Sequence, residues 1–401
     1  MYKNNVISLW ALQNTSRDIL CKKHYDFLKE KPPAIFSCCR SPITDPKKKS
    51  VEVHLKNDTR KSFYKNLSSC NSVWICPVCA SKITSERTER LNISLDNWYQ
   101  KSDCHRTAFI TYTMPHYHGQ TLADIRKIFM SARRRMHRQK KLNRNLSFIP
   151  YSEICENYGI VGSVTGIELT YGLNGWHLHC HEILFLAWSL RDDQVDVLRN
   201  LLVKAWKHSL MKENCQINNP AVFDMRSVVI EKFDKQNKNI VSQYISKFSG
   251  WTVSHELTKS AVKKGRVDNL SIWDFLRNIF LQTEGHEKYF FLYREYAEVM
   301  KGTRQLFFSK NMSNLLCYKD VEVVIDPELS EFLGELNDLV WYKIVKTNNR
   351  FNFLQIVDNQ GFEVAINYIK YLKLNENNYG DDYEKFKKNE IRKSELSAIN
   401  C

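Results

Sequence analysis

The chain has 401 residues, with 59 Lys and Arg against 44 Asp and Glu, a formal charge of +15. Hydrophobic residues make up 43% and aromatics 12%, while Gly and Pro number only 13 and 9. That excludes collagen-like, low-complexity and disordered classes, leaves room for two or three domains, and makes a polyanion the expected partner.

Residues 1–35 read as a helical or irregular lead-in ending at Lys31-Pro32-Pro33. Gln13, Asn14 and Arg17 interrupt it, so no signal peptide is expected. No stretch approaches the ~18 consecutive apolar residues of a membrane span. The expectation is a cytoplasmic protein with no membrane partner. Twelve cysteines without an export signal read as reduced thiols or metal ligands rather than disulfides.

Residues 36–100 hold five of those cysteines, a β-like run Val51-Glu52-Val53-His54-Leu55 and a charged helix over 81–99. In Cys76-Pro77-Val78-Cys79 the C-x-x-C turn supplies two ligands of a tetrahedral zinc, and Cys70 a third. The fourth is Cys39 or Cys38, which the spacing does not separate. A redox C-x-x-C would want a βαβ context, which is missing here. The segment therefore reads as a zinc-ribbon-like module with a structural zinc.

Phe109-Ile110-Thr111-Tyr112-Thr113-Met114, stopped by Pro115, is a strand pattern. Residues 121–150 then carry nine cations against one acid, Asp124. Ile125, Ile128, Phe129, Ala132 and Met136 recur at helical spacing through them. The pattern predicts an amphipathic helix whose basic face (Arg126, Lys127, Arg133, Arg134, Arg135, Arg138) suits a nucleic-acid backbone.

Two strand-like runs, 163–171 and 176–186, flank Gly172-Leu173-Asn174-Gly175, a hairpin signal. Alternation in the second puts His177, His179 and His181 on one face, as nitrogen donors for a divalent metal. Pairing Tyr171 with Trp176 sets Glu168 opposite His179, whereas a two-residue Asn174-Gly175 turn sets it opposite His181. Either register brings the carboxylate to the histidine face. A His, carboxylate and water set suits Mg²⁺ or Mn²⁺ when a substrate supplies phosphate oxygens.

A helix over 191–210, a strand near 221–231 and a helix over 239–248 come next. The last places Tyr244 and Lys247 three residues apart on one face. A phenol needs a neighbouring cation or metal to act as nucleophile, and Lys247 offers one. From about 327 the chain reads as mainly helical. The expected divisions are 1–35, 36–100, a core over 101–310, a helical region over 311–375, and a polar, mobile tail over 376–401.

Several stretches also occur together, in order. They are Ser72-Val73-Trp74-Ile75-Cys76-Pro77-Val78-Cys79-Ala80, then Thr111-Tyr112-Thr113-Met114-Pro115-His116, then Glu168 to Gly172 with Gly175 to His181, and finally Tyr244-Ile245-Ser246-Lys247. A later piece, Tyr296 to Leu306, belongs with them. This set resembles the rolling-circle replication initiators of small bacterial plasmids, members of the HUH endonuclease superfamily. The resemblance implies an α+β fold: an antiparallel-sheet HUH core with an N-terminal zinc module and a mainly helical C-terminal region. It also implies that His179 and His181 hold the metal and that Tyr244 attacks a phosphodiester of plasmid origin DNA. A 5′-phosphotyrosyl link and a free 3′-hydroxyl primer would result, with a host helicase and polymerase as partners. Leu178 and Cys180, which depart from the usual pattern, point away from the metal face. The neighbouring readings are a relaxase or transposase of the same superfamily, and a non-catalytic origin-binding zinc protein.

Overall fold

A computed structural model describes residues 7–21, 32–43, 50–57, 59–139, 148–233, 269–318 and 330–372. In chain order they form α1 (Leu9–Cys21), β1 (Val51–Lys56), β2 (Ser62–Lys65), α2 (Pro77–Lys101), β3 (Arg106–Thr113), α3 (Leu122–His137) and α4 (Tyr151–Asn157). The hairpin β4 (Ile160–Gly172) and β5 (Gly175–Leu186) follows, then α5 (Asp192–Met211), α6 (Pro220–Arg226) and β6 (Val228–Phe233). Next are β7 (Asn269–Leu270), α7 (Ile272–Leu281), α8 (His286–Val299), β8 (Leu306–Phe308) and β9 (Ser330–Leu336). Three helices close the series: α9 (Asp338–Lys346), α10 (Arg350–Gln360) and α11 (Phe362–Tyr371). The chain divides into two compact units, one built chiefly from Asn71–Val321, the other from Leu20–Cys70 and Glu322–Cys401.

The larger unit contains a six-stranded sheet in the order β6-β3-β5-β4-β7, with β8 also pairing β4. Its pairings are all antiparallel. β5 is the central strand and is buried along nearly its whole length, which is why its sequence runs apolar outside the histidine positions and Glu182. The β4–β5 turn is made by Leu173 and Asn174, between paired Gly172 and Gly175. Gly175 has φ +84°, a left-handed conformation that glycine adopts without steric penalty.

Alternation gives β5 two different faces. On one, Ile183 and Phe185 join Phe109 and Val164 in a core with Leu91, Leu95, Trp98 and Tyr99 of α2. The other faces α3 and α5, whose Phe129 and Trp206 are fully buried and pack edge to face at 5.4 Å. Each such side chain stabilises the fold by about 1.5–3 kcal/mol. Thr121 caps α3 through the Asp124 amide, and the helix stops at His137, well short of Pro150.

The expected strand near 221–231 is a helix followed by a strand. Pro220 opens α6, the Asn219 side chain caps the Val222 amide, and Arg199 donates to the carbonyls of Asp224 and Met225 at its end. The strand starts only at Val228.

The smaller unit is a three-stranded antiparallel sheet in the order β2-β1-β9. α9, α10 and α11 bury Trp341, Ile344, Phe353, Val357, Ala365 and Ile369 against Val51, Val53 and Leu336. The C-terminal region is thus not simply helical: it opens with β9, which pairs Leu336 with Val51. The polar tail lies outside the described residues. Among those described, no helix is long and apolar enough to cross a membrane.

Candidate metal and nucleic-acid site

The hairpin register decides the geometry of the histidine face. Tyr171 pairs with Trp176, so Glu168 lies opposite His179, and on the other side β3 sets Thr113 opposite His179 and Thr111 opposite His181. One carboxylate oxygen of Glu168 sits 3.1 Å from His179 Nε2 and 3.0 Å from His181 Nε2. Thr111 Oγ1 lies 2.9 Å from His181 Nδ1, which holds that ring with Nε2 toward the carboxylate. Phe109 stacks on the same ring at 5.2 Å. His179 Nδ1 is buried with no hydrogen-bond partner among the described residues.

Burial alone would raise the Glu168 pKa. The hydrogen bonds and positive potential of His179 and His181 outweigh it and hold the carboxyl far below its ordinary range. Glu168 and His181 are partly exposed and His179 is nearly buried, and their donor atoms all lie within 4.8 Å of one another. Two imidazole nitrogens and one ionised carboxylate fit a divalent ion such as Mn²⁺.

His177, expected as a further ligand, stands outside this donor group. Its ring lies between those of His116 and His179, at 4.8 and 4.6 Å and nearly parallel to both. Burial, then the neighbouring His179 and His116, push its pKa down to about 3, so it is neutral at pH 7. Tyr244 and Lys247 lie outside the described residues. The described strands on either side of them in sequence, β6 and β7, occupy opposite ends of the strand order that has β5 at its centre.

The cations of α3 divide into two sets. Lys127, Arg134 and Arg138 are exposed and fall along one stripe of the helix. The other three are engaged within the protein. Arg126 donates to Thr303 Oγ1 at 2.8 Å, and Arg135 pairs with Glu213 at 2.7 Å. Arg133 turns inward to Thr165 and Glu182. Arg133 is therefore no part of an outward basic face. It follows Phe129 by four residues, a spacing that already places it beside the apolar stripe.

Cys38, Cys70, Cys76 and Cys79 form a group whose sulfurs all lie within 4.8 Å of one another, a set that could hold a metal such as zinc. The residue before Cys70 and the knuckle is thus Cys38, not Cys39. Cys39 adopts a left-handed backbone at φ 52°, its amide donates to Ser68 O, and its sulfur lies outside the group. Cys104 and Cys317 are exposed, whereas burial, then nearby Glu182, pushes the Cys180 thiol up to about 12 despite Arg133. Iodoacetamide at pH 8 should label Cys104 and Cys317 rapidly and leave Cys180 untouched until the protein unfolds, as peptide mass spectrometry can follow.

Comparison with known proteins places the chain in a family. Residues 61–359 match the profile of the Replication protein family (Rep_1), and the chain belongs to that family. A relative named "Protein rep" from Streptomyces lividans is 23% identical over 251 residues, which cover 53% of this chain and 53% of the relative. The chain therefore spans about half the length of that curated relative. No solved structure matches it.

Proposed function

We propose that this replication protein starts rolling-circle replication of a plasmid by nicking one strand of origin DNA. The observation that carries the reading is the meeting of Glu168 with His179 and His181 on the face of a central strand. A divalent ion bound by these three residues would polarise the scissile phosphate. The Glu168 carboxylate, already ionised, needs no deprotonation before it binds. Thr111 and Phe109 keep the His181 ring in its donor orientation. Tyr244 is the nucleophile by resemblance. Its phenolic oxygen bonds to phosphorus, the bond from phosphorus to the 3′-oxygen breaks, and the 3′-oxygen leaves as a protonated hydroxyl. Lys247, three positions on in sequence, steadies the phosphate or favours the phenolate.

The backbone grip falls to Lys127, Arg134 and Arg138, which are free to face phosphates. Replacing Arg134 or Lys127 with alanine should weaken DNA binding and flatten its salt dependence, with stability changed by less than about 0.5 kcal/mol. Arg133→Ala should behave the opposite way, losing about 3–5 kcal/mol because Glu182 is left as a buried charge. Fluorescence anisotropy and urea melts separate the two classes.

The reading itself is tested by incubating the protein with supercoiled plasmid carrying its own origin and Mn²⁺. Nicked circles bearing protein on a 5′ end, mapped by mass spectrometry to the Tyr244 peptide, are expected. Nicking with no covalent adduct would point to water as the nucleophile and sink the mechanism.

A further inference from the structure

Glu182 follows His181 directly on β5 but faces the opposite side of the sheet. It is fully buried there, in a row with Ile110 of β3 and Thr165 of β4. Thr165 Oγ1 donates to it at 3.2 Å, and Arg133 of α3 donates to the same hydroxyl while its guanidinium stands 3.9 Å from the carboxylate. The Arg133 guanidinium also covers the Phe307 ring of β8 at 5.1 Å. One helical turn on, His137 Nε2 approaches Glu182 at 3.5 Å.

As a device for stability alone this is a poor one. Desolvating a carboxylate and a guanidinium costs more than an apolar pair of similar volume, and Glu182 Oε2, Arg133 Nε and the nearby Tyr112 hydroxyl have no hydrogen-bond partner among the described residues. What the pair adds is direction. Apolar side chains tolerate sliding, whereas one guanidinium held against residues of β5, β4 and β8 fixes the helix along and across the strands.

We propose that Glu182 is a positioning residue for the metal centre, locking β5 through Arg133 to α3 and so setting where His179 and His181 stand. The inference rests on the reading of Glu168, His179 and His181 as metal ligands. α3 also carries the exposed Lys127, Arg134 and Arg138 stripe, so the same contact sets the spacing between backbone grip and metal.

The test measures Mn²⁺ affinity by electron paramagnetic resonance, single-strand DNA affinity by anisotropy, and thermal stability, all on the full chain. Glu182→Gln should bind Mn²⁺ about tenfold more weakly, the low end of what residues that orient metal ligands contribute, with DNA affinity kept within about twofold. The double variant Arg133→Met/Glu182→Leu removes both charges and guards against simple unfolding. It should melt at or above the wild-type temperature yet keep the tenfold defect in Mn²⁺ affinity. Arg133→Lys, which retains charge but loses the planar fork, should fall between wild type and Glu182→Gln. Wild-type Mn²⁺ affinity in the double variant would overturn the proposal, as would a parallel loss of DNA affinity. A wild type that binds no Mn²⁺ would overturn it together with the metal site. A wild type that binds Mn²⁺ but does not nick would overturn the nickase reading alone.

Discussion

Tyr244→Phe should abolish nicking of origin DNA, by at least about a thousandfold, and eliminate the covalent adduct. The substitution removes one oxygen and leaves the ring, so folding, Mn²⁺ affinity and DNA binding should stay at wild-type values. Nothing else can supply a phosphotyrosyl bond at that position. A residual rate through a neighbouring tyrosine would still leave an adduct, but on a different peptide. Denaturing gels of 5′-labelled origin strands, read beside relaxation of supercoiled plasmid, give both quantities in one experiment. If the phenylalanine variant cleaves and still carries DNA, Tyr244 is not the nucleophile.

The second large effect belongs to Glu168. Its carboxylate oxygen sits between His179 and His181 and is the one anionic donor of the group. Glu168→Gln keeps the shape but replaces a charged ligand with a neutral amide. Mn²⁺ affinity should drop by about a hundredfold or more, since losing a ligand exceeds the 10–100-fold typical of an outer-shell partner. Without metal, the same change weakens two charge-assisted hydrogen bonds and should cost about 1–3 kcal/mol in a urea melt. DNA affinity without metal should hardly change, because the α3 stripe is untouched. Titration by isothermal calorimetry separates these outcomes. Unchanged Mn²⁺ affinity would show that the ion binds elsewhere.

Much of this site was legible in the sequence because it is local. Period-two alternation put His179 and His181 on one face, and the Gly172 to Gly175 turn confined Glu168 to two registers, both on that face. The surplus of positive charge in 121–150 marked α3, but the sign of a side chain does not say which way it points. Only the helical phase relative to Phe129 and Met136 separates inward Arg133 from outward Arg134. His177 shares the histidine face yet stacks instead of joining the donors, a matter of ring orientation that strand alternation does not encode. Cys38 and Cys39 differ by a left-handed backbone at the second, invisible in spacing. Least legible was β9, since pairing Leu336 with Val51 depends on a contact between distant parts of the chain.

The β4–β5 turn also has a bearing on how the protein matures. Glu168 and His181 are thirteen positions apart, so the donor set assembles as soon as one hairpin closes, an event of roughly microseconds. The β1–β9 pairing must instead wait for residues near 330 to leave the ribosome, and its closure carries the entropy of a far longer loop. A nascent chain could therefore recruit its ion long before the smaller unit exists, and the bound ion would stabilise the hairpin while the rest is still being made.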